Sequence, residues 1–123
     1  MLQYLQQAQT LPDYKISLPT ADGYLFINYK DITRCTASGS YTTFYMQDGQ
    51  KILTSMRPKE CEEQLPPTLF FRIHHSHLVN LNYIRKYVRG RGGYVLMQDG
   101  SSADVAVTRK TAFLKAIGGH PGP

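Results

Sequence analysis

Four short runs in this chain of 123 residues carry side chains able to do chemistry or to hold a charged ligand. His74-His75-Ser76-His77 holds three of the four histidines. As a metal site, His75 and His77 share one strand face, but no cysteine, aspartate or glutamate stands nearby to complete a shell. A catalytic reading meets the same obstacle. No acid occurs between Glu63 and Asp99, so only a distant part of the fold could supply an orienting carboxylate. In the plainer reading His74 and His77 hydrogen-bond backbone in a β corner, and His75 at the loop tip is left to donate to a base or a phosphate.

The remaining runs are basic or polar. Arg89-Gly90-Arg91-Gly92-Gly93 offers two guanidiniums on a flexible backbone without side chains to hold a polyanion away. Ordinary solvated arginines in a hairpin loop are the alternative. Thr108-Arg109-Lys110 falls at an expected helix start, where free N–H groups and the dipole favour an anion. An arginine there opposes the dipole, and a phosphate or base edge would supply the reason for it. The alternative is an exposed helix residue. Ser38-Gly39-Ser40 leads into Tyr41, which by itself reads as an exposed tyrosine in a hairpin.

These runs need elements to position them. Lys15–Pro19 alternates like a strand that stops at proline. Asp22-Gly23 signals a turn into a strand at Tyr24–Ile27, and Tyr29-Lys30-Asp31 is a corner. Two similar blocks follow. In the first, Ile32–Ala37, Tyr41–Gln47 and Lys51–Ser55 are strands and about Arg57–Gln64 is a helix, ended by Leu65-Pro66-Pro67. In the second, Ile84–Arg89, Tyr94–Gln98 and Asp104–Val107 are strands. Thr108 is then an N-cap for a helix over about Arg109–Ala116. Met46-Gln47-Asp48-Gly49 recurs as Met97-Gln98-Asp99-Gly100, with the surrounding elements in the same order. Between the blocks, Phe70–Ile73 and Leu78-Val79 hold the histidine run at both ends. Phe71, Ile73, Leu78, Val79 and Ile84 are expected to be buried. His75, Arg89, Arg91 and Arg109 are expected to be exposed on one face.

Composition narrows the class. One domain fits the length, with residues 1–14 a linker or tail, 15–117 folded and 118–123 a disordered tail. No apolar run approaches the roughly 18–20 residues of a membrane span. Two cysteines, Cys35 and Cys61, in unrelated contexts read as free thiols of a cytoplasmic protein. The sequence pI is near 9.3, and the charge is unevenly spread. Residues 1–67 carry net −1, residues 68–123 net +6. That asymmetry suits a polyanionic partner.

The run Phe70-Phe71-Arg72-Ile73-His74-His75-Ser76-His77-Leu78-Val79-Asn80-Leu81-Asn82-Tyr83-Ile84 strongly resembles the central signature of LytTR DNA-binding domains, output modules of a class of bacterial response regulators. Downstream, Leu96–Gly100 and Val107-Thr108-Arg109-Lys110 continue the pattern, and the resemblance covers about residues 15–117. It implies a mainly β fold, elongated, of about ten short antiparallel strands with one or two short helices. It also implies sequence-specific binding of double-stranded DNA by loops inserted into the grooves, and a role in transcriptional regulation. Carried over by position, the DNA-contacting residues are His75, Arg109, and Tyr41 flanked by Ser40. Arg89, Arg91 and Lys110 join them from the basic runs above. His75 stands where the family more often has an amide or a cation, and Thr108 where serine is common. No catalytic residue, metal or cofactor is implied. A dimer on repeated half-sites stays open. Nothing in the chain could house a receiver domain, so an excised output domain or a standalone member is expected. The alternative is a β-rich protein-interaction module for an acidic partner.

Overall fold

The computed structural model describes residues 11–118. Most of the expected linker (1–10) and all but Gly118 of the expected tail (119–123) lie outside these residues. Among the described residues ten strands form three antiparallel sheets, with two short helices. The first sheet is the hairpin of β1 (Lys15–Thr20) and β2 (Gly23–Asn28). The central sheet runs β5-β4-β3-β7-β6, from β3 (Ile32–Ser38), β4 (Tyr41–Met46), β5 (Lys51–Thr54), β6 (Phe70–His74) and β7 (His77–Asn80). The third sheet is β8 (Ile84–Val88), β9 (Tyr94–Met97) and β10 (Ser102–Asp104). Helix α1 (Pro58–Gln64) follows β5, and α2 (Lys110–Ala116) follows β10. Among the described residues no helix is long and apolar enough to cross a membrane.

The central sheet separates two cores because side chains alternate along its strands. Adjacent Leu78 and Val79 on β7 therefore enter opposite cores. On one side Leu78 joins Leu18, Ile32, Phe44, Phe70 and Cys61, under β1–β2 and α1. On the other, Val79 and Ile73 meet Val95, Met97, Phe113 and Leu114 of the third sheet and α2. Ile73, Leu78 and Val79 are buried as expected, but Phe71 and Ile84 are only half-buried. Alternation explains Phe71. With Phe70 committed to the first core, Phe71 must face the other side, where it meets Phe113 at 5.6 Å from the edge of the sheet.

The repeated block extends to individual hydrogen bonds. Asn28 and Asn80 each cap a 3-10 turn, Tyr29–Asp31 and Leu81–Tyr83, by accepting from the N–H two residues on. The strand after each turn shifts register at its second residue or so, between Ile32 and Arg34 and between Ile84 and Lys86. Asp48 and Asp99 accept from the N–H of Gln50 and Ser101, both at 2.9 Å. Gly49 and Gly100 both have φ +91°, the left-handed region that glycine enters without strain. Since β1–β2 precedes the first turn and β6–β7 the second, each unit is a hairpin, a capped turn, three strands and a helix.

Several element ends shift by a residue from expectation, and three differences have a physical reason. β1 continues through Pro19 to Thr20, tolerable on a strand at the edge of a two-stranded sheet. The last strand is Ser102–Asp104 rather than Asp104–Val107: Val105 N–H still reaches the Gly93 carbonyl in register, but Ala106 turns away to donate to the Ile73 carbonyl. Thr108 lies inside a 3-10 turn, Val107–Arg109, and caps nothing; Arg109 occupies the cap position of α2, with no side-chain cap bond.

Candidate nucleic-acid interface

Register brings four segments to one end of the molecule. Thr36 pairs with His77 across β3 and β7, and Ala37 N–H donates to the Ser76 carbonyl at 2.9 Å. This sets the β3–β4 tip, with Ser40 and Tyr41, beside the β6–β7 tip that carries His75. Ala106 N–H donates to the Ile73 carbonyl at 2.8 Å, joining the segment before Arg109 to the strand that ends in the histidine run. Val105 N–H donates to the Gly93 carbonyl at 3.0 Å, and Lys110 Nζ to the Gly90 carbonyl at 3.1 Å. The arginine loop is thereby tied to both Val105 and α2. Ser40, Tyr41, His75, Arg89, Arg91 and Arg109 are exposed there, and Lys110 is half-buried.

The arginine loop is stiffer than its composition suggested. Gly92 is buried, and Tyr87 Oη donates to its carbonyl at 2.7 Å. A Cβ at Gly92 would run into the Val105 carbonyl, and one at Gly93 into the Tyr87 hydroxyl. The glycines thus allow close packing of the loop base rather than mobility. Segments 74–77, 89–93 and 105–110 contain no acid. Among the described residues no carboxylate forms an ion pair with Arg89, Arg91 or Arg109; the ion pair present joins Arg72 to Glu62 of α1, at 3.7 Å.

The three imidazoles serve different ends. His74 Nδ1 accepts from Ser76 N–H at 3.1 Å, as its backbone role requires. His77 departs from that expectation, for its Nδ1 is buried without a hydrogen-bond partner. Burial first, then His74 and Arg34, push His77 below the usual imidazole value; Asp104 pulls weakly the other way. The His74 ring lies 4.2 Å from that of His75 and 5.3 Å from that of His77. Among the described residues no three histidine, cysteine or acidic side chains are arranged to hold a metal. The thiols are poor nucleophiles, because burial raises Cys35 well above its ordinary value and Cys61 to about 11.

Three supporting residues escaped the sequence reading. Arg72 Nη2 donates to the His75 carbonyl at 2.6 Å. Tyr87 locks the arginine loop. Arg34 lies 3.9 Å over the Tyr45 ring and donates through Nε to Ser101 Oγ at 3.1 Å, joining the two repeat units. Arg72 stood in the sequence within the signature run and Tyr87 as an aromatic residue just ahead of a glycine-rich loop, while Arg34 left no trace. An open groove of about 630 Å³, lined by Lys15, Phe26, Asp31 and Asp48 among others, lies at the opposite end and shares no residue with the four segments.

The pattern of the LytTr DNA-binding domain matches residues 22–118. The chain belongs to the LytTR family. It is a DNA-binding domain, and double-stranded DNA is the partner that this membership supports. Two proteins of Paraburkholderia xenovorans (strain LB400), the heme-containing CO-sensing transcriptional regulators RcoM 2 and RcoM 1, are 31% and 30% identical to it over 106 residues. The aligned region is 85% of this chain and 39% of each regulator, so the chain spans about two-fifths of their length. A LytTr DNA-binding domain from Bacillus cereus superposes with a TM-score of 0.74 at 22% identity, covering 85% of this chain and 97% of that one. That likeness establishes the LytTR fold.

Proposed function

We propose that this domain reads double-stranded DNA sequence-specifically through the four loop segments at its basic end, and that it serves as the output module of a cytoplasmic transcriptional regulator. The observation that carries the reading is the meeting of His75, Arg89, Arg91 and Arg109, all exposed, on loops without acids. The transcriptional regulators among its relatives support the regulatory role. No recognition helix is needed: α2 has seven residues and buries Phe113 and Leu114 in the second core. The reading is non-catalytic. A receiver domain elsewhere in a longer protein and pairing of two copies on repeated half-sites are compatible with it.

Arg109 is the candidate base reader. It sits where the dipole of α2 opposes its charge, and no acid stands in the first turn to compensate. Bidentate pairing with guanine O6 and N7 would use that position. Arg89 and Arg91 are assigned to phosphates, because they are exposed on an anchored loop and, among the described residues, form no ion pair. Ser40, Tyr41 and Lys110 complete the proposed contact surface.

The test is titration of Arg109→Ala and Arg91→Ala on selected and scrambled duplexes across salt. Arg109→Ala should cost about 1–3 kcal/mol on the selected duplex and flatten discrimination at one base pair. Arg91→Ala should weaken both duplexes alike and shallow the salt slope by about 1. Equal loss on both duplexes for Arg109→Ala, with relaxed specificity for Arg91→Ala, would exchange the two roles. No duplex binding by the unaltered chain at moderate salt would favour an acidic protein partner instead.

A further inference from the structure

The β6–β7 tip has two residues between its strands, His75 and Ser76. The peptide unit joining them is held at both polar atoms. Its carbonyl accepts from Arg72 Nη2 at 2.6 Å, and its N–H donates to His74 Nδ1 at 3.1 Å. The next carbonyl, that of Ser76, accepts from Ala37 N–H of β3 at 2.9 Å. Fixing the peptide plane after His75 fixes the backbone torsion that aims its side chain. The His75 ring lies against His74 at 4.2 Å.

Arg72 is itself braced. Its side chain is 22% exposed, and Nη1 lies 3.7 Å from Glu62 Oε1 on α1. The guanidinium fork spans from that carboxylate to the His75 carbonyl, a bridge a single ammonium group reproduces poorly. We infer that Arg72 is a positioning residue for DNA recognition, holding the His75–Ser76 peptide so that the His75 ring is oriented before DNA arrives. This rests on the reading of His75 as a DNA contact made above. Preorganisation of this kind raises affinity by removing the ordering cost of binding. It acts through His75, so it makes no phosphate contact of its own.

A double-mutant cycle on the 123-residue chain tests it. The probe is a duplex selected by the unaltered chain from a random pool, titrated at two salt concentrations. His75→Ala should weaken binding about tenfold, about 1.4 kcal/mol. Arg72→Met should weaken it several-fold in the His75-containing protein, and less than about twofold once His75 is alanine. Its salt slope should match that of the unaltered chain, and Arg72→Lys should restore part of the loss. Melting curves and amide spectra confirm that each variant is folded, with the Ser76 amide displaced in Arg72→Met. Equal loss in both backgrounds with a slope shallower by about 1 would make Arg72 a direct phosphate contact and overturn the proposal. A loss for His75→Ala but none for Arg72→Met overturns it while leaving His75 in the interface. No loss for His75→Ala would remove His75 from the interface, and the positioning role with it.

Discussion

His77 shows how one half-buried imidazole makes the stability of the fold depend on pH. Its Nδ1 has no partner, and Arg34, His74 and His75 surround it, with Asp104 the one acid nearby. Its value in the fold is lowered, so the unfolded chain binds the proton more readily. Stability is then fully present above the unfolded histidine value, about 6.5, and declines as pH falls below it. The melting temperature should drop between pH 7.5 and 5.5, and His77→Gln should reduce that drop. An equal drop in both proteins would mean that His77 does not carry the dependence. Phenylalanines give a second test at this scale. Phe113 is fully buried and Phe71 half-buried, so Phe113→Ala should cost about 3–5 kcal/mol in urea denaturation and Phe71→Ala less. A larger cost for Phe71→Ala would reverse the assignment.

At the scale of elements, the arginine loop links two parts of the interface through its base. Gly92→Ala forces a methyl into the Val105 carbonyl, so the loop and the segment before Arg109 must separate. It should destabilise by about 1–3 kcal/mol and weaken DNA binding as well. A Cβ at Gly90 meets its neighbours at 3.5 Å, an ordinary contact, so Gly90→Ala is the matched control and should do neither. Equal behaviour of the two variants would contradict the anchored loop. This element also shows where sequence stops informing. Arg89-Gly90-Arg91-Gly92-Gly93 marks a loop by composition, yet its stiffness comes from Val105, which is distant in sequence, and from the Tyr87 hydroxyl. The same limit applies at the start of α2, Lys110 rather than Arg109: a 3-10 turn runs into the helix with no side-chain cap, and the Ala106 N–H just before that turn goes to Ile73, far off in sequence. The strands were legible because alternation is local. Gly49 and Gly100 were legible because their turns need a residue that tolerates positive φ.

The whole molecule is two similar units sharing one central sheet, and this geometry gives it two unlike ends. One gathers the four loop segments. The other is built from the capped turns and the two Met-Gln-Asp-Gly turns, joined where Gln47 N–H donates to the Asp31 carbonyl and Gln98 N–H to the Tyr83 carbonyl. That end carries mixed charge, with Lys30, Asp31, Asp48, Arg85 and Asp99 all exposed. The repeat was visible in sequence through its turns, while the matching of β1–β2 with β6–β7 was not, since the hairpins share the pattern of their bonding and little of their sequence. The central claim is that DNA is held at the loop end, and equal charge removal at each end tests it most directly. Binding of a selected duplex should be measured at two salt concentrations for Arg89→Ala/Arg109→Ala and for Lys30→Ala/Arg85→Ala. The account predicts a large loss and a shallower salt slope for the first pair, with the second close to the unaltered chain. Equal losses, or a greater loss for the Lys30 and Arg85 pair, would contradict it.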